Sequence, residues 1–156
     1  YGRIGLFVPK GSPVKADGEL KDLARAVRAG EVAKFAIANP EHAPYGARAR
    51  EALHHAGLWN LLQPRLVLGE NISQAAQFAA SGATQGGIIA QSLAMAPQIA
   101  ALGHFALIPA AWHQPLAQRM VLLKNAPPAA RAFYNHLATP AAQATLARYG
   151  FGLPRP

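Results

Sequence analysis

Apolar positions along this chain fall into short continuous runs separated by stretches at helical spacing. Ile4–Val8 is an apolar run stopped by Pro9-Lys10-Gly11-Ser12-Pro13, which predicts a strand and then a loop. Leu20, Leu23, Ala24 and Val27 recur every three to four positions, which predicts an amphipathic helix over roughly 18–29, closed by Gly30. Ala33–Ala38 reads as a strand and Asn39–Tyr45 as a loop with two prolines. A helix from about Gly46 to Ala56 follows, with Ala49, Ala52 and Leu53 on its inner face and Gly57 at its C-terminal stop. Leu66–Leu68 predicts a strand, Gly69–Asn71 a turn, Ile72–Ala80 a helix and Gly86–Ala90 a buried-type strand. Ser92–Leu102 reads as a helix kinked or broken at Pro97. Phe105–Ile108 and the longer Ala117–Leu123 read as strands. Two helices close the chain, about 128–138 and 140–149, the second with Pro140 at its first position. This β-α-β-α-β-α-β alternation predicts an α/β fold with a largely parallel sheet.

Composition narrows the class. Of 156 residues, 51% are apolar and 14% charged, which excludes a solvated, acidic disordered chain and allows one domain with a real core. The net charge is +8, and all seven acids lie at or before Glu70. Such a charge suggests an anionic partner, but the bases stand singly and the densest group is Arg48-x-Arg50. Phosphate-backbone binding normally needs clustered bases, so nucleic acid is disfavoured. The absence of cysteine excludes disulfides, zinc-thiolate sites and thiol nucleophiles. Residues 71–118 contain no Asp, Glu, Lys or Arg. Pro97, Pro109, His104 and His113 interrupt that stretch before any apolar run reaches the ~18 residues of a membrane span, so it reads as buried interior. Tyr1–Val8 lacks the charged-then-apolar pattern of a secretory leader.

Most of the chemistry that side chains could carry finds no support in their spacing. Only Glu41 and Glu70 stand in loops that could face a cleft; the other acids read as solvated or capping groups. Ser12, Ser73, Ser81 and Ser92 occupy no nucleophile elbow. His54 and His55 are adjacent, so on a helix they point about 100° apart and share a metal poorly. Gly82-x-x-x-Gly86-Gly87 lacks the Lys-Ser/Thr of a phosphate loop and leads into a strand. Two loops remain, Asn39–Gly46 and Gly69–Gln74. Each follows a predicted strand and opens a helix, so each places free N–H groups at the carboxyl end of the sheet. From spacing alone they are equally well read as an anion site or as ordinary βα loops.

The string Phe35-Ala36-Ile37-Ala38-Asn39-Pro40-Glu41-His42-Ala43-Pro44-Tyr45-Gly46 closely resembles the central motif of periplasmic molybdate-binding proteins of ABC transporters. The resemblance continues through Ala49–Leu53, Gly57-Leu58-Trp59, Leu66–Gln74, Gly86–Ile89 and Gln118–Lys124. It ends at Ala130–Phe133 and Tyr149–Phe151, and so covers nearly the whole chain in order. It implies a type II periplasmic binding protein fold, in which two α/β lobes joined by crossing strands close on a bare oxyanion. It also implies that the ligand, molybdate or tungstate, is held by neutral donors with no cofactor and no metal ligands, and that no reaction is catalysed. Tyr45 stands where the family's loop offers a main-chain N–H to the anion; in one branch this position is a tyrosine whose hydroxyl can also contribute. Ile72 stands where a second main-chain N–H is offered. The other branch carries its tyrosine where this chain has Ala90, which has no hydroxyl.

The family's first-lobe segment, with its serine or threonine hydroxyls, has no counterpart in this resemblance. The expected division is therefore a crossing strand at 1–10, lobe two at 11–113, and a return crossing strand with C-terminal helices at 114–156. Phe133, Leu137, Leu146, Tyr149 and Phe151 are then expected to lack their burial partner, which favours self-association or rearrangement of those helices. The implied role is extracytoplasmic capture of the oxyanion for a membrane permease, with the leader outside this chain. The alternatives are a binding protein for sulfate, phosphate or another oxyanion, an effector-sensing domain of a transcription regulator, and a small enzyme using Glu41 or His42.

Overall fold

The computed structural model describes residues 1–153. The order of elements is β1 (Ile4–Pro9), α1 (Lys21–Arg28), β2 (Phe35–Ala38), α2 (Pro44–His55), α3 (Trp59–Leu62), β3 (Leu66–Gly69), α4 (Ile72–Ala80), β4 (Gly87–Ala90), α5 (Gln91–Ala94), α6 (Pro97–Ala100), β5 (Gly103–Leu107), α7 (Pro128–His136) and α8 (Pro140–Arg148). The five strands form one sheet in the order β3-β2-β4-β1-β5. β2 pairs parallel with β3 and β4, whereas β1 lies antiparallel between β4 and β5. Four strands thus point one way, and only β1 opposes them. Ile4 is opposite Ala90 and Pro9 is opposite Gly103, so β1 starts at the carboxyl ends of β4 and β5.

The central strands β1, β2 and β4 are covered on both faces, which is why they read as continuous apolar runs rather than alternating ones, whereas the edge strands β3 and β5 keep exposed positions. Ile4, Leu6, Val8, Phe35, Ile37 and Ile88 face α1, α2 and α3, where they meet Leu23, Val27, Leu53, Leu58 and Leu62. The alternate positions Phe7, Ala36 and Ile89 face α4 and α5 and pack on Ala76, Ala79 and Ala94. Residue parity within each strand therefore assigns its face.

Local chemistry sets the element ends. α1 begins at Lys21, later than its apolar spacing suggests, because Leu20 adopts a left-handed conformation (φ 56°) and the Asp17 carboxylate accepts the Lys21 and Asp22 N–H groups at 3.0 and 2.9 Å. β2 begins at Phe35, because the Gln85 side-chain oxygen takes the N–H groups of Ala33 and Lys34 at 2.9 and 2.8 Å. α2 begins two residues early, at Pro44, whose fixed φ suits the first helical position. Pro97 splits the expected 92–102 helix into α5 and α6.

The predicted strand at Ala117–Leu123 is not formed. Of the return segment, only Leu116 makes a bridge, accepting the Gly2 N–H at 2.9 Å. A strand needs a neighbour to take its ladder bonds, and among the described residues none lies alongside: Val121 is 80% exposed and Leu123 74%. α7 buries no residue and α8 buries only Ala142. Residues 150–152 return to the chain start, where the Gly152 N–H donates to the Tyr1 carbonyl at 2.8 Å. The final three positions of the 114–156 division lie outside the described residues. No helix among the described residues is long and apolar enough to cross a membrane.

Candidate anion-binding site

Two helix starts meet at the carboxyl end of the parallel strands. The loop after β2 is tied to the end of β3 by the Asn39 N–H, which donates to the Gly69 carbonyl at 2.7 Å. Within that loop the Asn39 side-chain oxygen accepts the Glu41 N–H at 3.0 Å, and its carbonyl accepts the Ala43 N–H at 2.9 Å. Pro44 has no N–H. Among the described residues, the Tyr45 and Gly46 N–H groups then have no acceptor on the protein. In the second loop Asn71 caps α4, its side-chain oxygen accepting the Gln74 N–H at 3.0 Å. That leaves the Ile72 and Ser73 N–H groups in the same condition.

The two loops hold each other. His42 Nε2 lies 3.1 Å from the Glu70 carbonyl and 3.4 Å from its carboxylate. The Ile72 side chain packs on Ala38, Ala43 and Ala75, which fills the gap between the two helix starts. Gly46 permits the close approach: a Cβ there would collide with the Ala38 carbonyl at the end of β2. Neither first turn carries an acid. Glu41 is drawn onto Arg50 at 2.7 Å. The site end therefore offers positive dipole ends and N–H donors, with the Glu41 carboxylate paired to Arg50 and the Glu70 carboxylate exposed beside His42.

The Tyr45 side chain turns to the start of β1. Its hydroxyl sits where a Cβ of Gly2 would be, beside the Gly2–Leu116 bridge. Burial pushes the Tyr45 phenol above its ordinary value, and a hydrogen bond with the Gln118 side chain acts in the opposite direction. A cavity of about 290 Å³ opens here, between Pro44 and Arg48 of α2 and the segment Leu116–Arg119. Larger depressions, of about 660 and 580 Å³, lie around Asp17–Arg25 and around Lys10–Lys15. The second is at the end of β1, and so at the opposite end of the sheet from the two loops.

Sequence spacing located both helix starts but missed what surrounds them. Gly2 and Gln118 carry no local signal, because each acts on Tyr45 from more than 40 positions away. Glu41 and His42, either of which the sequence offers as an acid/base group, are exposed, with Glu41 paired to Arg50 and His42 against Glu70. Among the described residues no group of three or more His, Asp or Glu stands close enough to hold a metal ion.

Residues 1–152 match the family of bacterial extracellular solute-binding proteins. The chain is 36% identical over 158 residues to the molybdate-binding protein ModA of Rhodobacter capsulatus, covering 94% of this chain and 62% of that one. It is 33% identical over 138 residues to ModA of Azotobacter vinelandii, covering 87% and 55%. The fold superposes on the solved periplasmic molybdate-binding protein of Azotobacter vinelandii with a TM-score of 0.79 at 28% identity, covering 99% of this chain and 66% of that structure. The chain thus spans between about half and two thirds of the length of these relatives.

Proposed function

The chain belongs to the bacterial extracellular solute-binding protein family, and from that premise we propose that it carries the molybdate- or tungstate-binding half-site of an ABC importer's capture protein. The observation that carries this reading is the pair of helix starts whose Tyr45–Gly46 and Ile72–Ser73 N–H groups stand free of protein acceptors at one end of the sheet. The Tyr45 and Ile72 N–H groups donate to the oxyanion, and the Tyr45 hydroxyl is a further donor within the same region. The Ile72 side chain contributes packing only.

The selectivity follows from cavity size, which separates molybdate and tungstate from the smaller sulfate, and from donor chemistry, which rejects protonated anions. N–H groups offer hydrogen and accept none, so a fully deprotonated tetrahedral oxyanion is satisfied, while a protonated one leaves its O–H without an acceptor. No bond is made or broken, and the protein acts outside the cytoplasm by handing the anion to a membrane permease. The relatives' molybdate-binding names favour this oxyanion over sulfate or phosphate.

The test is calorimetric titration of the chain with molybdate, tungstate, sulfate and phosphate in parallel. Heat from the first two with silence from the others is expected. Replacing Tyr45 by Phe should weaken binding by about tenfold, the worth of one hydrogen bond to a charged group. Equal response to all four anions would refute the selectivity, and silence from all four would refute the site.

A further inference from the structure

One face of α2 runs along the return segment for three turns. Tyr45 packs beside Leu116 at its start. One turn on, Arg48 and Glu51 pair at 3.1 Å, and the other Glu51 oxygen accepts the Gln114 main-chain N–H at 2.7 Å. At the last turn His55 stacks on Trp112, with ring centroids 4.5 Å apart. Residues 45, 48, 51 and 55 recur at helical spacing and so share one face. The segment they hold, 112–118, forms no strand, and among the described residues only the Leu116 bridge to Gly2 fixes it within the sheet layer. Its placement therefore depends on α2, and Glu51 supplies the shortest direct bond between them.

We propose that Glu51 is a positioning residue of the anion site, whose carboxylate registers residues 112–118 against α2 so that Leu116 and Gln118 enclose the Tyr45 side chain. It touches no ligand. It acts through Gln114, whose N–H it accepts, and through Tyr45, whose hydroxyl is held at the Gly2–Leu116 crossing by the segment that contains Gln114. The inference rests on the reading of Tyr45 as a ligand residue, but the clamp itself exists without any anion.

Two variants test it. Glu51→Leu removes the acceptor, whereas Glu51→Gln keeps an oxygen for Gln114 and gives up the charge. Native-state amide exchange of the 156-residue chain and ultraviolet titration of its phenols are the readouts, with Tyr45→Phe assigning the Tyr45 signal among the four tyrosines. In Glu51→Leu, exchange at Gln114 and through 112–118 should rise about tenfold, with β2 and β4 amides unchanged. The Tyr45 phenol should ionise at lower pH, as water reaches it. Glu51→Gln should retain both wild-type properties. Unchanged exchange at 112–118, an unmoved Tyr45 titration, or Glu51→Gln behaving as Glu51→Leu would each overturn the proposal. None of these readouts needs ligand, so a failure of molybdate binding in the wild type would sink the functional reading and leave this result to be judged alone.

Discussion

Gly2 and Tyr45 compete for the same space at the start of β1, and the tyrosine occupies it only because position 2 has no side chain. The methyl group of a Gly2→Ala variant must displace the Tyr45 hydroxyl or part the Gly2–Leu116 bridge. Overpacking of this kind costs about 1–3 kcal/mol. A lower urea midpoint with an unchanged slope is expected, together with a Tyr45 phenol that titrates closer to its ordinary value. A midpoint equal to wild type would mean that Tyr45 is free to move aside. None of this could be read from residue 2 in the sequence, where Tyr1-Gly2-Arg3 is an unremarked approach to a strand. The tyrosine, by contrast, stands in Asn-Pro-Glu-His-Ala-Pro-Tyr-Gly, the string that carries the family resemblance, and it is that resemblance that singles it out.

At the scale of elements, the site depends on how two helices begin. Asn71 gives α4 a side-chain cap by taking the Gln74 N–H, and among the described residues the two preceding N–H groups have no acceptor on the protein. Asn71→Ala removes that cap, for which a loss of about 1 kcal/mol in unfolding free energy is expected. Because the Gln74 N–H would then be a rival donor in the first turn, oxyanion affinity should change together with stability. Calorimetry and a denaturation curve on the same variant check both, and an unaltered stability would show that the cap is redundant. α2 has no side-chain cap. Its start is set by Pro44 and by Gly46 pressing against the end of β2. The sequence placed this helix two residues late, because the loop prolines read as loop while Pro44 is in fact the first helical residue. α3 was missed altogether: four residues are too few for a periodic pattern to register.

Taken whole, the molecule has one well-covered end and one bare one. Strands β1, β2 and β4 are buried throughout, whereas Met120, Val121, Leu123, Phe133 and Tyr149 lie exposed on the return segment and the last helices. Phe133 is 63% exposed, while Leu137, Leu146 and Phe151 are half-buried. Apolar surface of that kind tends to be covered by association. Arg119, Lys124, Arg131 and Arg148 lie on the same stretch with no acid among them, which opposes close pairing of two copies at low salt. Light scattering across a salt series should accordingly show a mass that rises with protein concentration, and rises more at high salt. A monodisperse monomer at all salts would refute this. The sequence by itself determined the alternation of strands and helices, the burial of the central strands and the presence of both helix starts. Those follow from side-chain periodicity, prolines, glycines and caps that act within a few residues, although the α2 start was legible only to within two residues. Only the tertiary structure decided that β1 runs antiparallel between β4 and β5, that Gly2 receives Tyr45, that Glu51 holds Gln114 and that 117–123 forms no strand. Each of those is a pairing, or the lack of one, between segments far apart in the chain. A strand-like run such as Ala117–Leu123 becomes a strand only where another segment is present to take its hydrogen bonds.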